Sequence, residues 1–250
     1  MSELDLLLAQ IDGLKNRLDA ARPLTSAQLQ QAMDIEYTYE SNRIEGNTLT
    51  LRETDLVVNK GLTVGGKPMR EHLEAINHYE AILYIRELAA QGTSLDEREV
   101  RNIHALVLRG IDRDNAGRYR NLPVMIAGSR YVPPQPWAVP KAMENYALWL
   151  TGDSMNLHPV VRAAEAHERL VTIHPFIDGN GRTARLVMNL SLLSSGFTIT
   201  NIPGDTDSRR AYYDALEKAN LEADKTDFLT LITGHVLHSM RTLLERLGAM

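Results

Sequence analysis

The chain has 250 residues, 27 Lys and Arg against 32 Asp and Glu for a formal charge of −5, and no cysteine. That length buries one good core with at most a small appended bundle. The lack of cysteine excludes disulfides, thiolate metal sites and a cysteine nucleophile, and the negative balance without a Lys/Arg block argues against a nucleic-acid partner.

The elements read as follows in chain order. The start, Met1-Ser2-Glu3-Leu4-Asp5, has no basic n-region or signal-like apolar core, and no uninterrupted apolar stretch reaches the roughly eighteen residues of a membrane span. The expectation is a cytoplasmic protein without a membrane partner. Leu4, Leu7, Leu8, Ile11, Leu14 and Leu18 form a helical stripe that ends before Pro23 and suits intramolecular packing. A second helix is expected from about Ser26 to Gly46, with Leu29, Ala32, Met33 and Tyr37 on one stripe and Gly46 as its cap. Glu45 then falls in the last turn, facing the negative end of the helix dipole at a cost of roughly 0.3–1 kcal/mol unless a cation answers it. Glu53–Lys60 and Glu71–Ala90 read as helices joined by a turn at Gly65-Gly66-Lys67-Pro68. Between Leu122 and Pro134 the pattern is that of a β-hairpin: Val124, Met125 and Ile126 favour strand, Gly128-Ser129 a turn, and Tyr131-Val132 a return strand. Gly152 to Asn156 reads as a loop, and Thr226 to Leu247 as a terminal helix.

The chemistry concentrates in His174-Pro175-Phe176-Ile177-Asp178-Gly179-Asn180-Gly181-Arg182-Thr183-Ala184-Arg185. A buried helix precedes it, with Pro159 in its first turn and Val160, Ala163, Ala164, Leu170, Val171 and Ile173 apolar; Pro175 ends it near His174. A second helix follows Gly181, with Leu186, Val187, Leu190 and Leu193 on one stripe and Gly196 as cap. Gly179 and Gly181 let backbone approach a ligand closely, and the free N–H groups at the second helix's start form an anion site. Arg182 and Arg185 project from the same first turn, beside a positive dipole end that repels them, so a di- or triphosphate is the expected occupant. His174, with an ordinary pKa near 6.5, can accept a proton at neutral pH; Asp178 is placed to hold a magnesium ion bridging phosphates, and Asn180 to donate to a phosphate oxygen. The run is not a Walker-type loop, because no Lys followed by Ser or Thr closes it.

This run resembles the Fic family motif, HPF-x-[D/E]-GNG-R-x-x-R, at every fixed position. The resemblance implies an all-α fold, a Fic-type helical bundle with a short β-hairpin flap beside the active site, and transfer of AMP from Mg-ATP to a Ser, Thr or Tyr hydroxyl of a target protein, the chain itself included. It implies His174 as general base, Phe176 as the core anchor of the loop, Asp178 as the magnesium ligand, and Gly179, Asn180 and Gly181 as an anion hole. Arg182 and Arg185 would contact the β- and γ-phosphates. The Val124, Met125, Ile126, Ala127 and Gly128 segment resembles the flap that holds the target by strand addition. His104 and His167, in segments similar to the Fic core, read as packed core histidines.

Upstream, Ser41-Asn42-Arg43-Ile44-Glu45-Gly46 resembles the family's inhibitory signature, [S/T]-x-x-x-E-[G/N]. By that resemblance Glu45 pairs with Arg185, blocks the γ-phosphate and makes the enzyme autoinhibited. The organisation expected is residues 1–95 as N-terminal helices including the inhibitory helix, packed on a catalytic core of 96–250 in one compact unit. Some relatives dimerise, so a homodimer stays open, as does the identity of the target. Two other readings also stay open: removal of AMP, with Glu45 orienting a water, and a non-catalytic nucleotide-binding interaction module. A metal-dependent hydrolase lacks a ligand set, since His235 and His238 in the terminal helix have no carboxylate or cysteine neighbours.

Overall fold

A computed structural model describes residues 1–249. Its α-helices are α1 (Glu3–Ala21), α2 (Ala27–Ile44), α3 (Leu51–Lys60), α4 (Met69–Gln91), α5 (Glu97–Val107), α6 (Val139–Thr151), α7 (Pro159–Ile173), α8 (Asn180–Ser194), α9 (Thr206–Glu222) and α10 (Thr226–Arg246). Local chemistry sets most starts. Ser2 with Asp5 and Thr50 with Glu53 form reciprocal capping boxes at α1 and α3, Ser26 caps α2 through its hydroxyl, and Pro159 occupies the first turn of α7.

α8 is the central element. Leu186, Val187, Met188, Leu190 and Leu192 are buried, and so are Asn180, Arg182, Arg185 and Asn189, so almost no face of this helix meets water. α7, α4, α5 and α2 pack around it, while α10 lies on α7 and receives α1 and α9. One apolar core runs from Ile11 and Leu18 of α1 through Tyr37 and Ile44 of α2 to Phe228 and Val236 of α10. A small satellite of Leu49, Val57 and Ala75 seats α3 on α4.

Two helix ends matter for the site. α2 finishes in a Schellman turn: Gly46 N–H donates to Arg43 O (3.0 Å), Asn47 N–H to Asn42 O (3.1 Å), and Gly46 has φ +94° with open space around it. Glycine is needed there for backbone conformation rather than room, and the turn fixes Glu45 as the C-cap residue. α7 ends with His174 itself in the left-handed region (φ 49°, ψ 57°), a conformation costing a side-chain-bearing residue about 1–2 kcal/mol.

The all-helical expectation holds, and the β-hairpin does not. No strand forms among the described residues, and 122–134 is an open loop. Its tip is a turn closed by Ser129 N–H on Ile126 O (3.1 Å), in which Gly128 has φ +79° and Ala127 keeps a negative φ. That is the type II pattern, whose twist splays flanking strands where the hairpin turns would align them. Pro123, Pro133 and Pro134 also remove three backbone donors from any ladder. The 153–156 segment, read as a loop, is a short 3-10 turn, and α5, α6 and α9 are elements that the sequence reading did not delineate. Among the described residues no helix is long and apolar enough to cross a membrane.

Candidate active site

The loop between α7 and α8 is held from beneath. Phe176 is fully buried and stacks on the His104 ring, with centroids 3.6 Å apart and planes within 6°. The Asn180 amide turns inward and closes the loop twice, accepting from Phe176 N–H and donating to Phe176 O, each at 2.9 Å. His104 supplies the other tie: its Nδ1 accepts Gly117 N–H (2.9 Å), so Nε2 carries the proton and donates to Asp178 O (2.9 Å). Burial pushes the His104 pKa down to about 4, which keeps that tautomer neutral. A Cβ on Gly179 would reach the His104 ring at 3.4 Å in a backbone with φ +76°.

Above this base lie the charges. His174 is half-buried, and its Nδ1 sits 3.3 Å from Val171 O. A carbonyl only accepts, so Nδ1 holds the proton and Nε2 keeps a free lone pair. Burial, assisted by the Arg120 charge, holds the His174 pKa below its ordinary value, so the ring is neutral at pH 7. Burial alone would raise the Asp178 pKa. Arg182, the Gly179 N–H and Arg70 reverse that and leave the carboxylate ionised. Its Oδ1 accepts from Gly179 N–H (2.6 Å) and Arg182 Nη2 (3.2 Å), and Oδ2 from Arg70 Nη2 (2.6 Å). Glu74 of α4 lies 3.1 Å from Arg70 and 3.5 Å from the buried Arg182.

Arg185 is the most enclosed charge of the group. Its Nε donates to Ser41 Oγ (2.9 Å), and its Nη2 to Ser41 O (2.9 Å) and Glu45 Oε1 (2.7 Å). Burial works against the guanidinium charge, and the Glu45 carboxylate outweighs it, so the Arg185 pKa is raised. Tyr212 OH lies 3.5 Å from Arg185 Nη1 and 2.8 Å from Nε2 of His167, whose pKa burial pushes down to about 3. A Cβ on Gly181 would collide with Glu45 Oε1. The Glu45 carboxylate therefore lies directly against the N-terminal turn of α8, where an anion is favoured.

A family model described as the Fic/DOC family matches residues 94–192. A Fic family protein from Desulfovibrio desulfuricans G20 superposes with TM-score 0.80 at 30% identity, covering 98% of this chain and 75% of that one. The chain belongs to the Fic family. Fic-1 (aa134–508) from C. elegans superposes with TM-score 0.84 at 28% identity, over 98% of this chain and 73% of that fragment. The protein adenylyltransferase Fic of Drosophila persimilis is 36% identical over 228 residues, which are 90% of this chain and 44% of that protein. The Fic chain described here thus spans less than half the length of the curated relatives it matches.

Most of the residues singled out in the sequence fall in this one cluster. His174, Asp178, Gly179, Gly181, Arg182 and Arg185 surround the α8 N-terminus, and Ser41, Glu45 and Gly46 arrive from α2. The Asn180 side chain faces the loop interior, so its backbone N–H is the group left toward the cradle. Among the described residues no group of three or more His, Cys, Asp or Glu side chains could hold a metal ion by itself. Sequence reasoning missed Arg70, Glu74, Tyr212 and the buried Arg120. Arg70 and Glu74 carry no signal, because they lie about a hundred residues before the motif. Arg120 lies in Ala116-Gly117-Arg118-Tyr119-Arg120, a stretch outside any helix, where no periodicity marks it as buried.

Proposed function

We propose that this chain is an autoinhibited protein adenylyltransferase, transferring AMP from Mg-ATP to a Ser, Thr or Tyr hydroxyl of a target protein. The observation that carries the reading is a neutral base, His174 with Nε2 free, on the same short loop as an anion-binding helix start flanked by Arg182 and Arg185. The hydroxyl oxygen attacks the α-phosphorus, its proton passes to His174 Nε2, and the bond to the bridging oxygen breaks to release pyrophosphate. N–H groups of the first turn of α8, with Arg182 and Arg185, receive the phosphate charge as it shifts toward the leaving group, so positioning and electrostatics supply most of the effect.

Asp178 fits a magnesium ion, being an ionised, half-exposed carboxylate at the rim of the cradle. Magnesium takes one or two carboxylates and completes its octahedron with phosphate oxygens and water, so the lack of a larger ligand cluster does not count against it. When bound, it would neutralise charge on the phosphates. Val124, Met125, Ile126, Ala127 and Gly128 are the target-holding segment in this reading. Val124 and Ile126 are half-buried while Met125, Ala127 and Gly128 are exposed, an alternation suited to an added strand even without a resident hairpin.

Glu45 restrains the reaction by occupying Arg185 and the anion site together. A second reading is favoured by one detail: Glu45 engages Arg185 through Oε1 alone, which leaves Oε2 to orient a water for removal of AMP. Incubating wild type, Glu45→Gly and Glu45→Gly/His174→Ala with ATP labelled at the α- or γ-phosphate separates the cases. The expected result is α-label on protein, strong in Glu45→Gly and abolished by His174→Ala. Transfer of γ-label means a kinase, and release of AMP from an adenylylated substrate that requires Glu45 means the reverse reaction.

A further inference from the structure

The two ends of the loop that replaces the expected hairpin meet on a single side chain. The loop's far side is tied by Glu217, which accepts from Ser129 Oγ (3.3 Å) and Arg130 N–H (2.7 Å), and by Tyr131 OH, which donates to Thr172 O (3.1 Å). Arg120 is 3% exposed, and its guanidinium makes no salt bridge among the described residues. Its hydrogen bonds go to backbone carbonyls of three segments: Nε to His174 O (2.7 Å), Nη1 to Leu122 O (3.2 Å) and Nη2 to Pro134 O (2.5 Å). Its backbone N–H donates to Pro175 O (2.9 Å). Leu122 and Pro134 are the two ends of the 122–134 loop, whose own backbone contributes the Ser129–Ile126 bond at the tip. His174 is the base, held in a left-handed conformation that persists only where its surroundings over-determine it.

We propose that Arg120 is the positioning residue of this active site, fixing the His174 backbone and both ends of the target-holding loop on one guanidinium so that base and target move as one body. The inference rests on the reading of His174 as base and of 122–134 as the target segment, and it adds how the two are kept in register. Arginine suits the task because its planar fork serves three carbonyls at once, where a lysine ammonium is a single point. Burial lowers the Arg120 pKa, and three carbonyls rather than an anion answer its charge. Arg120 touches neither the anion cradle nor Glu45. The cradle is braced separately by Asn180 and His104. Damage at Arg120 should therefore separate nucleotide binding from transfer.

The test uses the full chain in three measurements. Hydrogen exchange on the unmodified protein should show segments 122–134 and 172–177 opening together; a loop that opens far faster than the His174 segment overturns the proposal without any substitution. In a Glu45→Gly background, Arg120→Lys and Arg120→Met should bind Mg-ATP by calorimetry within about twofold of the parent, since the cradle is braced elsewhere, and lose at least about tenfold in α-label self-transfer, the size expected of a positioning loss. The His174 ring, read by NMR titration, reports a role that packing alone would not produce. Among its charged neighbours Arg120 lowers the ring's pKa, and the Asp178 carboxylate, with Glu45 where it is present, raises it. Its pKa should rise by about half a unit in Arg120→Met and stay in place in Arg120→Lys. Transfer within threefold of the parent in both variants, or an unmoved His174 titration in Arg120→Met, overturns the proposal. If the Glu45→Gly parent puts α-label neither on itself nor on added lysate protein, the proposed function fails, and the exchange and NMR results still decide the role of Arg120.

Discussion

Glu45→Gln keeps the shape of the C-cap residue of α2 and removes its charge. The partner it abandons, Arg185, has a side chain 1% exposed and retains Ser41 Oγ and Ser41 O at 2.9 Å, with Tyr212 OH at 3.5 Å. Removing one member of a buried ion pair costs 3–5 kcal/mol; the Glu45 side chain is 32% exposed and the amide keeps a neutral hydrogen bond, which brings the figure to about 2 kcal/mol. For a chain of this size that is a fall of about 4–8 °C in melting temperature without nucleotide. If the γ-phosphate takes the place of the carboxylate, the same 2 kcal/mol reappears as tighter ATP binding, about thirtyfold in Kd. ADP, which has no γ-phosphate, should gain much less. Differential scanning fluorimetry and calorimetric titration with Mg-ATP and Mg-ADP measure both halves. A melting temperature that falls with no ATP gain, or equal gains for ATP and ADP, refutes the claim that Glu45 and the γ-phosphate compete for Arg185.

Gly204→Ala should release inhibition with Glu45 intact, because a Cβ there would sit 2.8 Å from Arg43 Cβ and 2.9 Å from Glu40 O, atoms of α2 that cannot swing aside. Label transfer is expected to rise toward the Glu45→Gly level, with no further rise when the two changes are combined. Arg70→Ala frees Asp178 Oδ2, and since that pair is exposed at 58% and 42%, the magnesium needed for half-maximal ADP binding should fall about two- to fivefold. Binding curves that do not depend on Arg70 would mean that magnesium does not meet Asp178. Burial lowers the pKa of His78, and that of His104 to about 4, His167 to about 3 and His235 to about 4. The unfolded chain therefore binds more protons between pH 6.5 and these values, so stability is complete above about pH 6.5 and is lost as pH falls toward 4, on the order of 3 kcal/mol for each fully buried ring. A urea midpoint that is unchanged between pH 7.5 and 5 would contradict this account.

Much of the site is legible because its chemistry is local. His174 through Arg185 form one continuous run, and helix geometry alone sends Arg182 and Arg185 to the same turn as the free N–H groups. The limits of α2 are written just as locally, in the Ser26 cap and in Gly46, whose positive φ ends the helix at the residue that must meet Arg185. The hairpin failed for a reason also present in the sequence: Pro123, Pro133 and Pro134 outweigh the strand propensity of Val124 to Ile126 once no partner strand repays their missing donors.

The sequence by itself therefore determined the motif, the helices that flank it and the helix end that carries Glu45, since each depends on contacts within a few residues. Only the tertiary structure decided which distant groups answer the charges. Arg70 meets Asp178 across 108 residues, Ser41 meets Arg185 across 144, and Arg120 gathers His174, Leu122 and Pro134 around one guanidinium. Such pairings follow from how α2, α4 and the 122–134 loop settle around α8, and spacing along the chain carries no record of that packing.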